Sequence, residues 1–250
     1  MANLRGVFPG AFTAGNLLCG FFALVACVHG NPEQACWLVV LAAFLDGLDG
    51  FVAKLSKGTS RFGIEFDSLA DVVSFGAAPA TILYCYRLPF LGQWNWLLGA
   101  VFLLSATFRL ARFNLTATRE EKHTFLGLPV PAAAVSILSF ALFCEHLYGK
   151  LRYEKVLVTM IIGYSLLMVS AIEFEARPRT FRSALDRFKL LYILLAIAGT
   201  ILEPSLAIFP VTAGYVAFGL VREGLHLARG TSSIRRRSDE SKKGGQRNDV

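Results

Sequence analysis

The chain has 250 residues, 54% of them hydrophobic and only 17% charged, with a mean hydropathy of +0.52. Soluble domains carry about 25% charged residues, so this composition excludes a soluble globular domain, a disordered chain and a coiled coil, and indicates an integral membrane protein. The net charge of +7 lies in loops and in a C-terminal tail, a distribution that suits a membrane surface and gives no sign of a nucleic-acid partner.

In chain order, proline, glycine and charge clusters separate eight apolar segments: 8–28, 34–55, 67–86, 93–112, 127–147, 154–173, 188–203 and 205–225. Most approach the roughly 20 residues that cross a bilayer. Hydrocarbon offers the backbone amides of a single segment no partner outside their own helix. The predicted fold is therefore an all-α, polytopic transmembrane bundle of about eight spans. Gly10, Gly15 and Gly20 in the first segment suit close helix packing, and the five cysteines, all inside apolar stretches without CxxC spacing, read as small buried hydrophobes.

An eight-span chain places 21 of the 25 Lys and Arg residues on the side that holds both termini, and leaves Arg87, Lys150, Arg152 and Lys155 on the other. The positive-inside rule then makes both termini cytoplasmic; the expected location is the cytoplasmic (inner) membrane, with the active site facing the cytoplasm. Trp94, Trp96, Tyr84, Tyr86, Tyr148 and Tyr153 fall near the opposite span ends as an interfacial belt. Residues 1–229 read as one transmembrane domain. Residues 230–250, rich in Ser, Gly and charge, read as a disordered basic cytoplasmic tail whose Arg235–Arg237 run suits anionic headgroups.

Four acids break the apolar pattern. Asp46 and Asp49 close the second segment, and Asp67 and Asp71 open the third. Intramembrane acids are costly, and each is by default a functional-site hypothesis. At about 100° per residue, each pair shares one helix face, and the short connection makes the two helices antiparallel neighbours. Four converging carboxylates repel one another at neutral pH unless cations sit among them. Two divalent ions would balance the charge. An all-oxygen donor set favours Mg²⁺ or Mn²⁺, and such metal pairs recur in phosphoryl chemistry. Gly50, Lys54, Ser60, Arg61 and Gly63 lie close by in the sequence and suit a phosphate ester.

The stretch from Asp46 to Asp71 resembles the signature of the CDP-alcohol phosphatidyltransferases, D-x2-D-G-x2-A-R-x8-G-x3-D-x3-D. It is met here by Asp46, Asp49, Gly50, Ala53, Gly63, Asp67 and Asp71, with Lys54 standing where the family has Arg. The strings VFPGAFTAGNLLCGF, LADVVSFGAAPA, RLARFN and GLPVPAAA resemble those of the phosphatidylserine-synthase branch. Gly10 departs from it, since Asn often follows that proline. The resemblance implies transfer of the phosphatidyl group of CDP-diacylglycerol to the hydroxyl of L-serine, with release of CMP. It further implies that Asp46, Asp49 and Asp67 ligate metal, that Asp71 ligates the second ion and acts as the base, and that Gly50, Lys54 and Ser60 contact CDP-diacylglycerol.

For the carboxylate of serine, Arg109 and Arg112 share a face at the end of the fourth segment, beside Asn114; ordinary snorkelling anchors are the alternative. Thr13 and Asn16, one turn apart, are expected either to bond the nucleotide of CDP-diacylglycerol or to make interhelical contacts. Lipid substrate stays in the bilayer, at about 0.8 kcal/mol per CH₂, while the water-soluble parts come from the cytoplasm. The resemblance allows a homodimer. Other readings stay open: glycerol phosphate, inositol phosphate or choline as acceptor, an archaeal ether-lipid donor, and, outside the family, an ion-coupled transporter.

Overall fold

A computed structural model describes residues 7–56, 61–86, 92, 94–117, 124–175, 198–222 and 224. The elements run α1 (Val7–Val28), α2 (Pro32–Ser56), α3 (Arg61–Asp71), a π-helical stretch (Val72–Ala77), α4 (Ala78–Cys85), α5 (Asn95–Ala117), β1 (Thr124–Leu126), α6 (Val130–Tyr148), α7 (Glu154–Val169) and β2 (Glu173–Glu175). A helical turn at 198–202 and a last helix, α8 (Pro204–Arg222), follow. Among the described residues, six helical stretches are long and apolar enough to cross a membrane: Gly10–Val28, Pro32–Val52, Phe62–Cys85, Asn95–Leu115, Val130–Tyr148 and Pro204–Arg222. The protein is thus a helical, multi-pass membrane protein. Contacts divide it into two units, Met1–Ala213, which holds every element of the site below, and Gly214–Val250. The expected boundary after residue 229, the tail beyond it and most of the expected seventh span lie outside the described residues.

Helices α1 and α2 form a hairpin through a tight connection in which Gly30 adopts φ +76°. Pro32 opens α2, where its missing N–H costs nothing. The buried residues of α1, Thr13, Asn16, Gly20, Ala23 and the adjacent Ala26 and Cys27, are spaced by three or four positions, which makes one continuous seam. Position 20 lies so close to the next layer that a Cβ there would sit 2.4 Å from the Ser74 hydroxyl and 2.7 Å from the Ser74 Cα. Only glycine allows this approach.

The third span differs from the one the sequence suggests. It starts at Arg61, not at Asp67, and passes through the π-helical stretch just after Asp71, where the Ala78 N–H reaches the Val73 carbonyl five residues back. Pro79 follows at once. It offers no N–H and its ring crowds the carbonyl four residues before it, and the wider register accommodates both. Asn95, at the start of α5, donates to the carbonyls of Leu83 (3.3 Å) and Tyr84 (3.2 Å), closing the end of α4.

Helix α6 is the most enclosed of the six spans; it carries Ile137, Leu138 and Ala141 fully buried and ends at Gly149 with φ +66°. Its Ser136 hydroxyl meets the Tyr164 hydroxyl of α7 at 3.1 Å. The expected sixth span, 154–173, is shorter than the sequence suggests: α7 has 16 residues, about 24 Å of helix against a hydrocarbon core of about 30 Å. Its continuation pairs antiparallel as β2 with β1, Thr124 opposite Glu175 and Leu126 opposite Glu173. Helical periodicity does not reveal this small ribbon. Gly127, at φ +80°, carries the chain from it towards α6, donating its N–H to the Ile172 carbonyl at 2.8 Å.

Candidate active site

The C-terminal halves of α2 and α3 bring the acids together. One carboxylate oxygen each from Asp46, Asp67 and Asp71 lie within 4.8 Å of one another. Asp49 completes the set, since its charge acts on both Asp46 and Asp67. Asp49 and Asp71 are buried, and Asp46 and Asp67 half-buried. The i, i+3 and i, i+4 spacings put each pair on one face, and the α2–α3 juxtaposition makes the faces converge.

Such a cluster is unstable as four bare charges. Asp49 Oδ1 and Asp67 Oδ1 are buried without a hydrogen-bond partner, and orphaned carboxylate oxygens are expensive unless a cation takes them. The donor set is carboxylate only, which suits a hard divalent ion and not zinc or copper. The residues therefore fit a divalent metal, held by Asp46, Asp67 and Asp71 with Asp49 beside them.

Helix α1 closes the back of the cluster. Thr13 Oγ1 donates to Asp49 Oδ2 at 2.5 Å, and Asn16 Nδ2 donates to Asp71 Oδ1 at 3.0 Å. Of the two roles expected for these residues, the structure displays the interhelical one, made to the acids themselves. Gly50 lies on the exposed side of α2, where a Cβ would meet nothing within 4 Å, so open space adjoins the acids there. Lys54 follows one turn on, in α2. Its side chain and Ser60 lie outside the described residues.

The three candidates for binding serine part company. Arg109 is buried on α5, its guanidinium 5.6 Å from the centre of the Phe113 ring, and its charge is felt at Asp71. Arg112, although it shares that face in sequence, is committed elsewhere. It donates to the carbonyls of Met168 (3.2 Å), Val169 (2.8 Å) and Ser170 (2.9 Å), satisfying the free carbonyls and dipole at the C-terminus of α7. Asn114 bonds Ser68 through both ends of its amide, at 2.9 and 3.1 Å, and so ties α5 to the residue next to Asp67.

Sequence reasoning missed Ser68 and Ser74. Ser74 is fully buried and donates to the backbone carbonyl of Asn16 at 2.8 Å. Their available signal was position alone, one residue after Asp67 and three after Asp71, because serine is common in helices of all kinds.

The sequence profile of the family described as CDP-alcohol phosphatidyltransferase matches residues 6–173, the stretch from α1 into β2 that contains every residue of this cluster. The chain belongs to the CDP-alcohol phosphatidyltransferase family. It is 36% identical over 222 residues to a protein of Helicobacter pylori named CDP-diacylglycerol–serine O-phosphatidyltransferase, covering 86% of this chain and 90% of that one. A Mycobacterium bovis protein of the same name is 32% identical, over 86% of this chain and 77% of its own length. A protein of Methanothermobacter thermautotrophicus named archaetidylserine synthase is 34% identical over 168 residues, 66% of this chain and 68% of its own.

Proposed function

We propose that this protein is an enzyme of phospholipid synthesis that transfers the phosphatidyl group of CDP-diacylglycerol to the hydroxyl of L-serine, giving phosphatidylserine and CMP. The observation that carries the reading is the convergence of Asp46, Asp67 and Asp71 within 4.8 Å, with Asp49 beside them, in the spacing of the family signature. The likeness to the serine transferases over 86% of the chain supports serine as acceptor.

In this reading Asp46, Asp49, Asp67 and Asp71 would hold two divalent ions, Mg²⁺ or Mn²⁺, with Asp46, Asp49 and Asp67 as the shared ligands and Asp71 serving the second. The ions, when bound, neutralise the diphosphate and the charge that develops on departing CMP. Gly50, Lys54 and Ser60 hold the CDP portion on the open side of α2. Arg109, buried and close enough to act on Asp71, pairs with the serine carboxylate and so brings the hydroxyl towards that acid. Asp71 takes the hydroxyl proton as the serine oxygen attacks the phosphorus that carries the lipid. The bond from that phosphorus to the bridging oxygen breaks, and CMP leaves with the electron pair. Arg112 and Asn114 support this arrangement through the end of α7 and through Ser68, without touching substrate.

The Lys and Arg distribution supports an inner-membrane protein with its acids at the cytoplasmic face, which water-soluble serine can reach while the acyl chains stay in lipid. The test is CMP release by purified protein in detergent, with Mg²⁺ or Mn²⁺ and a panel of acceptor alcohols, each run with diacyl and with ether-linked donor. Metal-dependent release that requires serine supports the reading. Release only with another acceptor overturns serine, and no release with any acceptor from folded protein overturns the transferase reading. The ether-linked arm addresses the donor of the archaeal relative.

A further inference from the structure

Two polar side chains on α1 reach the acids from the interior of the bundle. Thr13 is 3% exposed and Asn16 is 0% exposed, so neither offers a surface to a nucleotide arriving from outside the bundle. Each instead donates to one oxygen of one carboxylate: Thr13 to Asp49 on α2, Asn16 to Asp71 on α3. The two positions are one turn apart on a single face, and the two acids they hold belong to different helices. Helix α1 therefore sets the spacing of Asp49 against Asp71.

The direction of both bonds is imposed by chemistry. An ionised carboxylate only accepts, so the threonine hydroxyl must donate. The opposite orientation of the Asn16 amide would set oxygen against oxygen. Its own Oδ1 is buried without a partner, so the bond to Asp71 is what decides how the amide lies. The arrangement is itself braced from behind, since Ser74 donates to the Asn16 carbonyl at 2.8 Å and leans on the bare Cα of Gly20. At Asp49 the oxygen that faces α1 is taken by Thr13 while Oδ1 is left without a partner. One occupied oxygen and one open oxygen is what a ligand held by an outer-shell donor looks like.

We infer that Thr13 and Asn16 are positioning residues, which fix the rotamers of Asp49 and Asp71 and so preorganise the cluster for divalent metal, and that they do not contact the nucleotide. The inference rests on the proposed reading of the four acids as a metal site. Outer-shell partners of metal ligands are worth about 10- to 100-fold in affinity or activity, and that range is expected for each residue.

The test measures Mn²⁺ binding to the full chain in detergent without substrate, from the electron paramagnetic resonance signal of free Mn²⁺, and in parallel the KM for CDP-diacylglycerol and kcat at saturating metal. Thr13→Val removes the hydroxyl at constant shape, and Thr13→Ala replaces it should the valine variant not fold. Asn16→Leu removes the amide. Thr13→Ser keeps the donor, and Cys27→Ala, at the far end of the buried seam of α1, disturbs α1 packing without touching the acids or the Ser74 brace.

The expected result is a Mn²⁺ dissociation constant raised at least about tenfold in the Thr13→Val and Asn16→Leu variants. Thr13→Ser and Cys27→Ala should bind as the unaltered protein does, and the KM for CDP-diacylglycerol should change less than about twofold throughout. Unchanged Mn²⁺ affinity with a raised KM for CDP-diacylglycerol would overturn the inference in favour of a nucleotide contact. Unchanged values of both, or an equal loss of Mn²⁺ affinity in Cys27→Ala, would reduce the two residues to helix packing. If the unaltered chain binds no Mn²⁺, the metal reading itself fails, and the comparison among variants falls with it.

Discussion

Replacing Asp67 by Asn should stabilise the metal-free protein while destroying its response to metal, the reverse of what most buried substitutions do. Asp46, Asp67 and Asp71 each place an oxygen within 4.8 Å of the others. At an effective dielectric of about 20, two unit charges at that separation repel by about 3.5 kcal/mol. Neutralising Asp67 removes its pairs with Asp46 and Asp71, about 7 kcal/mol between fully charged groups at that separation. Solvent screening and relaxation of the cluster absorb much of this, so the gain that survives is on the order of 1–2 kcal/mol. For a chain of this size that is about 3–6 °C in Tm. Asn also keeps the volume of Asp, so no cavity offsets the gain. The five free cysteines, Cys19, Cys27, Cys36, Cys85 and Cys144, are buried or half-buried, so a thiol-reactive fluorophore reports unfolding directly in detergent. In EDTA the Asp67→Asn variant should unfold above the unaltered protein. With saturating Mg²⁺ or Mn²⁺ the unaltered protein should gain several degrees and the variant little. An Asp67→Asn variant that unfolds several degrees lower in EDTA, together with an unaltered protein indifferent to metal, would refute the reasoning that the acids are mutually repelling ligands.

Asp71→Asn should leave CDP-diacylglycerol binding measurable while turnover disappears, and near-normal CMP release by that variant would remove Asp71 from the proton transfer. Arg109→Ala should raise the KM for serine by at least about tenfold, the loss of one charge-assisted contact, with the KM for CDP-diacylglycerol little changed; an unaltered serine KM would free Arg109 of that role. Arg112→Ala deletes three bonds to the end of α7 and should cost about 2–4 kcal/mol of stability, read as a lower thermal midpoint, with the serine KM of the folded fraction unchanged. Gly127→Ala sets a Cβ 2.4 Å from the Met168 carbonyl oxygen in a backbone at φ +80°. It should lower the thermal midpoint as well, and a midpoint equal to that of the unaltered chain would show that the β1–α6 junction relaxes freely.

Much of the architecture was legible in the chain because the bilayer simplifies the physics. Hydrocarbon forces apolar runs of about 20 residues into helices, and α1, α2, α5, α6 and α8 lie close to where the hydropathy put them. The acids were legible for the same reason: a carboxylate in an apolar run has no cheap explanation, and the i, i+3 and i, i+4 spacings already place each pair on a face. What hydropathy does not encode is where a helix yields to another register. The π-helical stretch before Pro79, the early end of α7 and the β1–β2 ribbon all follow from backbone geometry at a few residues, against an apolar pattern that would continue as helix.

The partners of individual polar side chains were decided by tertiary structure alone. Arg109 and Arg112 are equivalent by sequence, three apart on one face and both cationic, yet one is buried where its charge reaches Asp71 and the other spends its donors on the carbonyls of α7. Asn114 turns to Ser68, and Thr13 and Asn16 turn to acids 36 and 55 positions away. A helix fixes which face a side chain occupies through local periodicity. The group it meets there depends on which other helix crosses that face and at what depth, and that is set by packing contacts between residues far apart in the chain.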